Sequence, residues 1–428
     1  MLLVTCAFIV LLIMGMPVAF AIGISGTLFF LQHPELPSTI PIQLTLTQTQ
    51  NFALLAVPLF IMAGNLMNKS GITEQLLNLA TVLTGRLRGG LAQVSVALAA
   101  LMGGVSGSCI ADAAMQTRML GDEMLKRGFS KGYAAGVLSF GSLLTPIIPP
   151  GIGFILYGTV GQVSIGRLFA AGFVPAFLLW IALAGTIAIT ARRRGIAAEL
   201  KERPTIGQVA TAFRGGIWAI LFPVFLLVGL RAGVFTPSEI GAFAVVYAVV
   251  IGVAVYRQLK SVAFREALEG SLSDVGAVMF LIALSGIFGY GIVFERVPEL
   301  ISSLILGVTD NLYGAMTLIL LFVLIAGCFI DGSVLIIMLT PIFLPLIREL
   351  NGDPVHFGLV FIIAVTIGNF TPPVGSAMYA VCSILRCPVG DYTRESLPFL
   401  IAVSVVTLLL IFVPEVVLFV PNLLFGRD

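Results

Sequence analysis

The chain has 428 residues, of which 58% are hydrophobic and 10% charged, with a formal net charge of +2 and a mean hydropathy of +1.09. So little charge cannot coat a water-soluble body of this size, and no basic face offers itself to nucleic acid, so the outer surface faces lipid. Five cysteines, Cys6, Cys109, Cys328, Cys382 and Cys387, form no CxxC pair, which argues against a zinc site or a disulfide framework.

Apolar segments follow one another near 2–31, 51–68, 89–105, 109–120, 132–158, 166–191, 213–230, 238–256, 273–294, 300–309, 312–330, 333–348, 356–386 and 396–425. Runs of about 20 such residues cross the hydrocarbon core, and backbone polar groups in lipid must be satisfied within the segment. Leu-, Ala-, Ile- and Val-rich runs without ten-residue alternation predict helices rather than a barrel. Ala19-Phe20-Ala21 resembles a signal-peptide cleavage site, but no basic residue precedes it and the apolar run continues through Phe30. The expectation is an uncleaved first membrane helix over 2–31. Segments 109–120 and 300–309 are too short to span.

The longest polar stretch, 192–212, opens on Arg192-Arg193-Arg194 and continues through Lys201 and Arg203. It reads as a cytoplasmic loop under the positive-inside rule. Arg257, Lys260 and Arg265 return to the same side after an out-and-back helix pair, and Arg118, Lys126, Arg127 and Lys131 mark a further cytoplasmic segment.

Two parts of the chain resemble each other. Gly90-Leu-Ala matches Gly314-Ala-Met, Cys109-Ile-Ala-Asp112 matches Cys328-Phe-Ile-Asp331, and Thr145-Pro146 with Pro149-Pro150-Gly151 matches Thr371-Pro372-Pro373-Val374-Gly375. Each half closes on a similar glycine, Gly166 and Gly390. The expected division is a scaffold helix and connection over 1–50, a first repeat over 51–174 with a hairpin tip at 103–109 and a broken helix at 145–151, and scaffold helices over 175–275. A second repeat follows over 276–400 with a tip at 326–333 and a break at 369–376, then a C-terminal helix over 401–428. The Cys-to-Asp match implies about five extra residues in the first copy at Gly103–Ser108. Inverted halves follow if short segments fold into hairpins that do not cross.

The first tip, Gly103-Gly104-Val105-Ser106-Gly107-Ser108-Cys109, is rich in small residues that fit either a helix-packing patch or an unwound turn whose carbonyls and hydroxyls hold a hard cation such as sodium. Asp112 favours the second reading, because an intramembrane carboxylate costs about 2.5–3.5 kcal/mol on insertion scales and therefore faces a cavity, a cation or a partner. Asp331 makes the same argument in the second half. The prolines of each cluster remove amide donors and free carbonyls of the preceding turn, which must then face an enclosed or wet cavity. The half-helix after each break presents its positive end to that site, suited to a substrate carboxylate.

Gly104-Val105-Ser106-Gly107 also matches the GxSG of intramembrane serine proteases, a chemistry that needs a histidine base at membrane depth. His33 and His356 are the two histidines, each near a proline at a segment edge, and both read as interfacial loop residues. With no HExxH, GxGD or phosphate loop, an enzyme is not expected. Repeated broken helices fit alternating access better than a continuous pore.

The stretches Gly15–Gly23 and Val57–Gly64, the Gly104–Asp112 loop and the Thr371–Gly375 loop together resemble the large membrane subunit of TRAP (tripartite ATP-independent periplasmic) transporters, over about residues 1 to 425. The resemblance implies an all-α inner-membrane protein of bacteria or archaea with inverted repeats, re-entrant hairpins and broken helices: an elevator-type member of the ion transporter superfamily. It implies uptake of an organic anion, such as sialic acid or a C4-dicarboxylate, coupled to Na+. The partners it implies are a small four-helix membrane subunit, expected as a separate chain, and a periplasmic substrate-binding protein. It places one sodium site at Gly104, Ser106, Ser108, Thr145 and Pro149, and a second at Gly327, Asp331, Gly332, Asn369, Thr371 and Gly375. Asp112 and Asp331 would sit beside these loops, as helix-end anchors or in the substrate path, the latter with Ser333 and Ser376. A stand-alone sodium/dicarboxylate symporter or ion antiporter of related architecture is the alternative.

Overall fold

A computed structural model describes residues 2–200 and 202–426; Lys201 of the basic stretch, Met1, and Arg427 and Asp428 of the C-terminal segment lie outside them. Among the described residues all regular secondary structure is helical. The first half comprises α1 (Leu2–Ile13), α2 (Val18–Gln32), α3 (Ile40–Thr49), α4 (Ala56–Lys69), α5 (Ile72–Thr84), α6 (Leu91–Gly103), α7 (Cys109–Lys126), α8 (Lys131–Ser142), α9 (Ile152–Gly161), α10 (Ile165–Ala171) and α11 (Phe173–Arg194). The second comprises α12 (Ile206–Arg231), α13 (Pro237–Val250), α14 (Ser261–Phe294), α15 (Val297–Leu306), α16 (Leu312–Gly327), α17 (Gly332–Glu349), α18 (Pro354–Asn369), α19 (Ser376–Leu385), α20 (Val389–Phe412) and α21 (Pro414–Phe425).

Local chemistry explains several boundaries. Thr205 with Gln208, and Thr236 with Glu239, form capping boxes that start α12 and α13, the latter with Pro237 at its first position. The 34 residues of α14 measure roughly 50 Å at 1.5 Å per residue, more than a hydrocarbon core of about 30 Å, so the helix tilts or projects beyond it.

Three sequence expectations change. The run 2–31 is two helices rather than one, because Gly15 adopts φ +80° and Pro17 immediately precedes α2. The polar loop is narrower than 192–212: Arg192–Arg194 finish α11, and α12 already begins at Ile206. Segment 300–309, expected to be too short to span, falls largely in the ten-residue α15, which packs on α17 while much of its length stays exposed. His356 is not an interfacial loop residue but sits buried in the first turn of α18, its Nε2 2.8 Å from the Leu410 carbonyl.

Contacts at the two ends establish the topology. At one end Lys69 pairs with Glu266 at 2.7 Å, Arg127 with Glu199, Arg194 with Glu395, and Lys131 donates to the Arg386 carbonyl at 3.3 Å. At the other, Arg348 donates to the Gly161 carbonyl at 2.9 Å, Tyr157 to the Pro354 carbonyl at 2.8 Å, and Arg167 to Asn422 at 3.1 Å. Arg86, Arg88, Lys126, Arg192, Arg193, Arg203, Arg257, Lys260 and Arg265 cluster with the first set by position in the chain, so under the positive-inside rule the expected orientation has that end on the cytoplasmic side.

Hairpin α6–α7 enters from this basic end and returns to it at Arg127, whereas hairpin α16–α17 enters from and returns to the opposite end. After each hairpin a helix runs inward, breaks, and continues to the far side: α8 into α9, and α18 into α19. The halves are therefore inverted repeats with re-entrant hairpins. One bundle joins the hairpins and broken helices with α11 and α20, and a second joins α2, α3, α4, α13 and α14.

The structure also resets the repeat register. Ser108 caps α7, its hydroxyl accepting from the Ala111 amide, and Asp331 caps α17, its carboxylate accepting from the Ser333 amide. Ser108 and Asp331 are therefore the equivalent positions, 223 residues apart, as are Pro149 and Pro372. No insertion is needed, and Asp112 and Asp331 are not counterparts. Serine and aspartate are interchangeable helix caps because either side chain can satisfy a free amide, whereas the shared Cys-x-x-Asp spelling is coincidental.

Candidate functional site

The prolines leave specific atoms without partners. A helical carbonyl takes its hydrogen bond from the amide four, or in a tight turn three, residues on. For Pro146 those positions are Pro149 and Pro150, and for Asn369 they are Pro372 and Pro373. Neither carbonyl can be satisfied by its own helix, and no described amide donates to either. Pro149-Pro150 and Pro372-Pro373 are both cis.

Pro146 and Asn369 face one cavity of about 760 Å³ between the two bundles. On the hairpin side its walls include Ser106, Ser108, Asp331, Gly332 and Ser333, with Thr366 and Asn369 from α18. On the other side stand Asn65 and Asn68 from α4 and Asp274 from α14. Asn65 and Asn68 lie within about one turn of Lys69, the basic-end terminus of α4. The cavity thus reaches from the hairpin tips toward the basic end. A cysteine placed at Asp274, in a chain lacking the exposed Cys6, is expected to react with an impermeant maleimide in inside-out vesicles and to be protected in right-side-out ones. Labelling in the opposite sense would reverse this orientation.

Backbone contacts hold each tip against its break. A Cβ on Gly107, which has φ +62°, would lie 2.6 Å from the Pro150 carbonyl oxygen. Gly375 has φ +46° and donates its amide to the Cys328 carbonyl at 2.7 Å. Gly327 and Gly368 approach so closely that a Cβ on the latter would sit 2.6 Å from the Gly327 backbone. Only glycine permits this approach.

Among the residues singled out by sequence, Ser106, Ser108, Asp331, Gly332, Ser333 and Asn369 meet in the cavity. Ser106 Oγ and Asn369 Oδ1 are buried without a hydrogen-bond partner. Asn369 also joins the halves, its Nδ2 lying 4.0 Å from Cys109 Sγ. Gly104 packs on Pro223 of α12 instead. Thr371 donates to its own helix at the Ile367 carbonyl, 2.7 Å away, and Ser376 is exposed outside the cavity.

Asp112 is buried behind the wall. Its Oδ2 accepts from Thr145 and Gln116, both at 2.8 Å, and Gln116 accepts in turn from Ser95 at 2.9 Å. This chain ties both arms of the first hairpin to the first break. Asp112 Oδ1 has no partner.

Asn65, Asn68 and Asp274 are cavity residues that the motifs did not single out. A signal existed for each: asparagines three apart in an apolar helix, and a carboxylate at the start of the apolar segment 273–294.

The sequence profile described as "Tripartite ATP-independent periplasmic transporter, DctM component" matches residues 5–416. The chain is 32% identical to the sialic acid TRAP transporter large permease protein SiaM of Vibrio cholerae, covering 97% of each. It is 31% identical to the C4-dicarboxylate TRAP transporter large permease protein DctM of Pseudomonas aeruginosa, covering 94% of each. The crystal structure of the Alcanivorax borkumensis YdaH transporter superposes with a TM-score of 0.60 at 15% identity over 86% of each chain, a likeness of fold.

Proposed function

We propose that this chain, which belongs to the tripartite ATP-independent periplasmic transporter family as its DctM component, is the large permease subunit of a sodium-coupled importer of an organic carboxylate in the inner membrane. It is a permease and not an enzyme. The observation that supports sodium is the pair of buried, unpartnered oxygens, Ser106 Oγ and Asn369 Oδ1, set among carbonyls that the prolines deprive of donors. Neutral hard oxygens of this kind suit a small hard cation, and leaving them unmet would cost about 1–3 kcal/mol each. Ser106 and Ser108 with the carbonyls near Pro146 would hold one ion; Asn369 with Gly327, Asp331 and Gly332 would hold another.

Two partners fit a tripartite system, a small four-helix membrane subunit and a periplasmic substrate-binding protein. The cavity between the bundles supports an elevator movement, in which the hairpins and broken helices carry the site past α4 and α14. Moving one charge through 100 mV is worth about 2.3 kcal/mol, enough to drive anion uptake once sodium charges outnumber those of the substrate. Asp112 would act as a positioning residue, holding tip and break together.

In proteoliposomes with both partners, Ser106→Ala and Asp112→Asn are each expected to weaken the sodium dependence of uptake. If both variants keep the parent's sodium dependence, the first site is wrongly assigned.

A further inference from the structure

The cavity's two walls differ in chemistry. The hairpin wall offers hydroxyls, an amide side chain, donor-less carbonyls, the Asp331 carboxylate and the start of α7, where Ser108 caps one amide and the remaining amides and dipole amount to about half a positive charge. Asp331 is taken up as the cap of α17, accepting from the Ser333 amide, and stands among the oxygens assigned to sodium, so its charge is met on that wall. The opposite wall offers acceptors. Asp274 Oδ2 accepts from Asn65 Nδ2 at 3.0 Å, and no described group donates to its Oδ1. Asn68 Oδ1 is buried and unpartnered. Among the described residues, the lining contains two carboxylates, Asp274 and Asp331, and no lysine, arginine or histidine.

We propose that the substrate is a monocarboxylate bearing hydroxyl or ammonium donors, bound with its carboxylate toward the hairpin tips and its donors on Asp274 and Asn68, and that dicarboxylates are rejected. A second carboxylate would face Asp274 with no cationic side chain to meet it, and like charges juxtaposed with no cation between them select against a ligand. Donor groups satisfy the Asn68 oxygen, which is buried and otherwise unpartnered, and meet the exposed carboxylate of Asp274. A pocket of about 760 Å³ has room for a ligand larger than a short diacid. The buried, unpartnered Oδ1 of Asn68 lines the same cavity away from the oxygens assigned to sodium and marks the space as a ligand site. The proposal rests on the reading of this cavity as a sodium-coupled carboxylate site.

The test follows thermal unfolding of the purified full chain in detergent, titrated with D-gluconate, β-alanine and succinate in sodium or potassium chloride. Gluconate (through hydroxyls) or β-alanine (through its ammonium) should stabilise the chain in sodium only, at concentrations at least about tenfold below any effective for succinate. Asp274→Asn, which can keep the Asn65 bond, should shrink that gap to about threefold or less by admitting succinate. An equal or stronger response to succinate in the parent chain, or an unchanged gap in Asp274→Asn, overturns the proposal and leaves the sodium-coupled carboxylate reading standing. No sodium-dependent response to any of the three overturns both.

Discussion

Replacing Asn369 by alanine is expected to raise the sodium concentration needed for half-maximal stabilisation of the purified chain by roughly tenfold to a hundredfold, the worth of about 1.5–3 kcal/mol for a bond to a charged partner. Asn369 stands where three features converge. Its backbone carbonyl has lost both helical donors, its side-chain oxygen is buried and unpartnered, and its amide reaches Cys109 in the other half. Alanine keeps the backbone and removes only the side-chain oxygen and that cross-contact. Asn369→Asp supplies the control, since it restores an oxygen of the same reach and should recover most of the sodium affinity. A sodium midpoint within about twofold of the parent in Asn369→Ala would mean that this oxygen does not meet the ion.

Gly368→Ala should be as damaging by another route. The added Cβ would lie 2.6 Å from backbone atoms of Gly327 and 2.9 Å from the Leu324 carbonyl oxygen, and backbone cannot yield as a flexible side chain does. Overpacking of this kind costs about 1–3 kcal/mol, and here it would push the second hairpin away from α18 next to the site. Both the thermal midpoint and uptake are expected to fall. Gly327→Ala, whose nearest contacts are at 3.1 Å, should fall less, and Gly390→Ala, with nothing within 4 Å, should behave as the parent. A parent-like Gly368→Ala would show that the glycine contact does not hold the tip.

Much of the site was legible in the chain because its signals are local. A double proline strips donors from identifiable carbonyls whatever the surroundings, so the breaks at Pro146–Gly151 and Asn369–Gly375 follow from covalent chemistry alone. Ser106 and Ser108 were visible because polar and small residues are out of place in an apolar hairpin. The equivalence of Ser108 and Asp331 was not visible. It rests on a shared capping role, and the letters Cys-x-x-Asp pointed to a different register.

Composition and periodicity by themselves determine that this is a helical membrane protein, and the prolines determine where its helices open and which carbonyls they expose. The tertiary structure alone decides which wall each polar residue faces. Asp112, conspicuous in the sequence, turns to Thr145 and Gln116 behind the cavity. Asp274, Asn65 and Asn68, inconspicuous in theirs, form the wall opposite the hairpins. The difference is physical. Freeing a carbonyl depends on residues three and four positions away, whereas aiming a side chain into a cavity depends on helix rotation, set by partners some 200 residues distant, as in the Asn65–Asp274 bond spanning 209 positions.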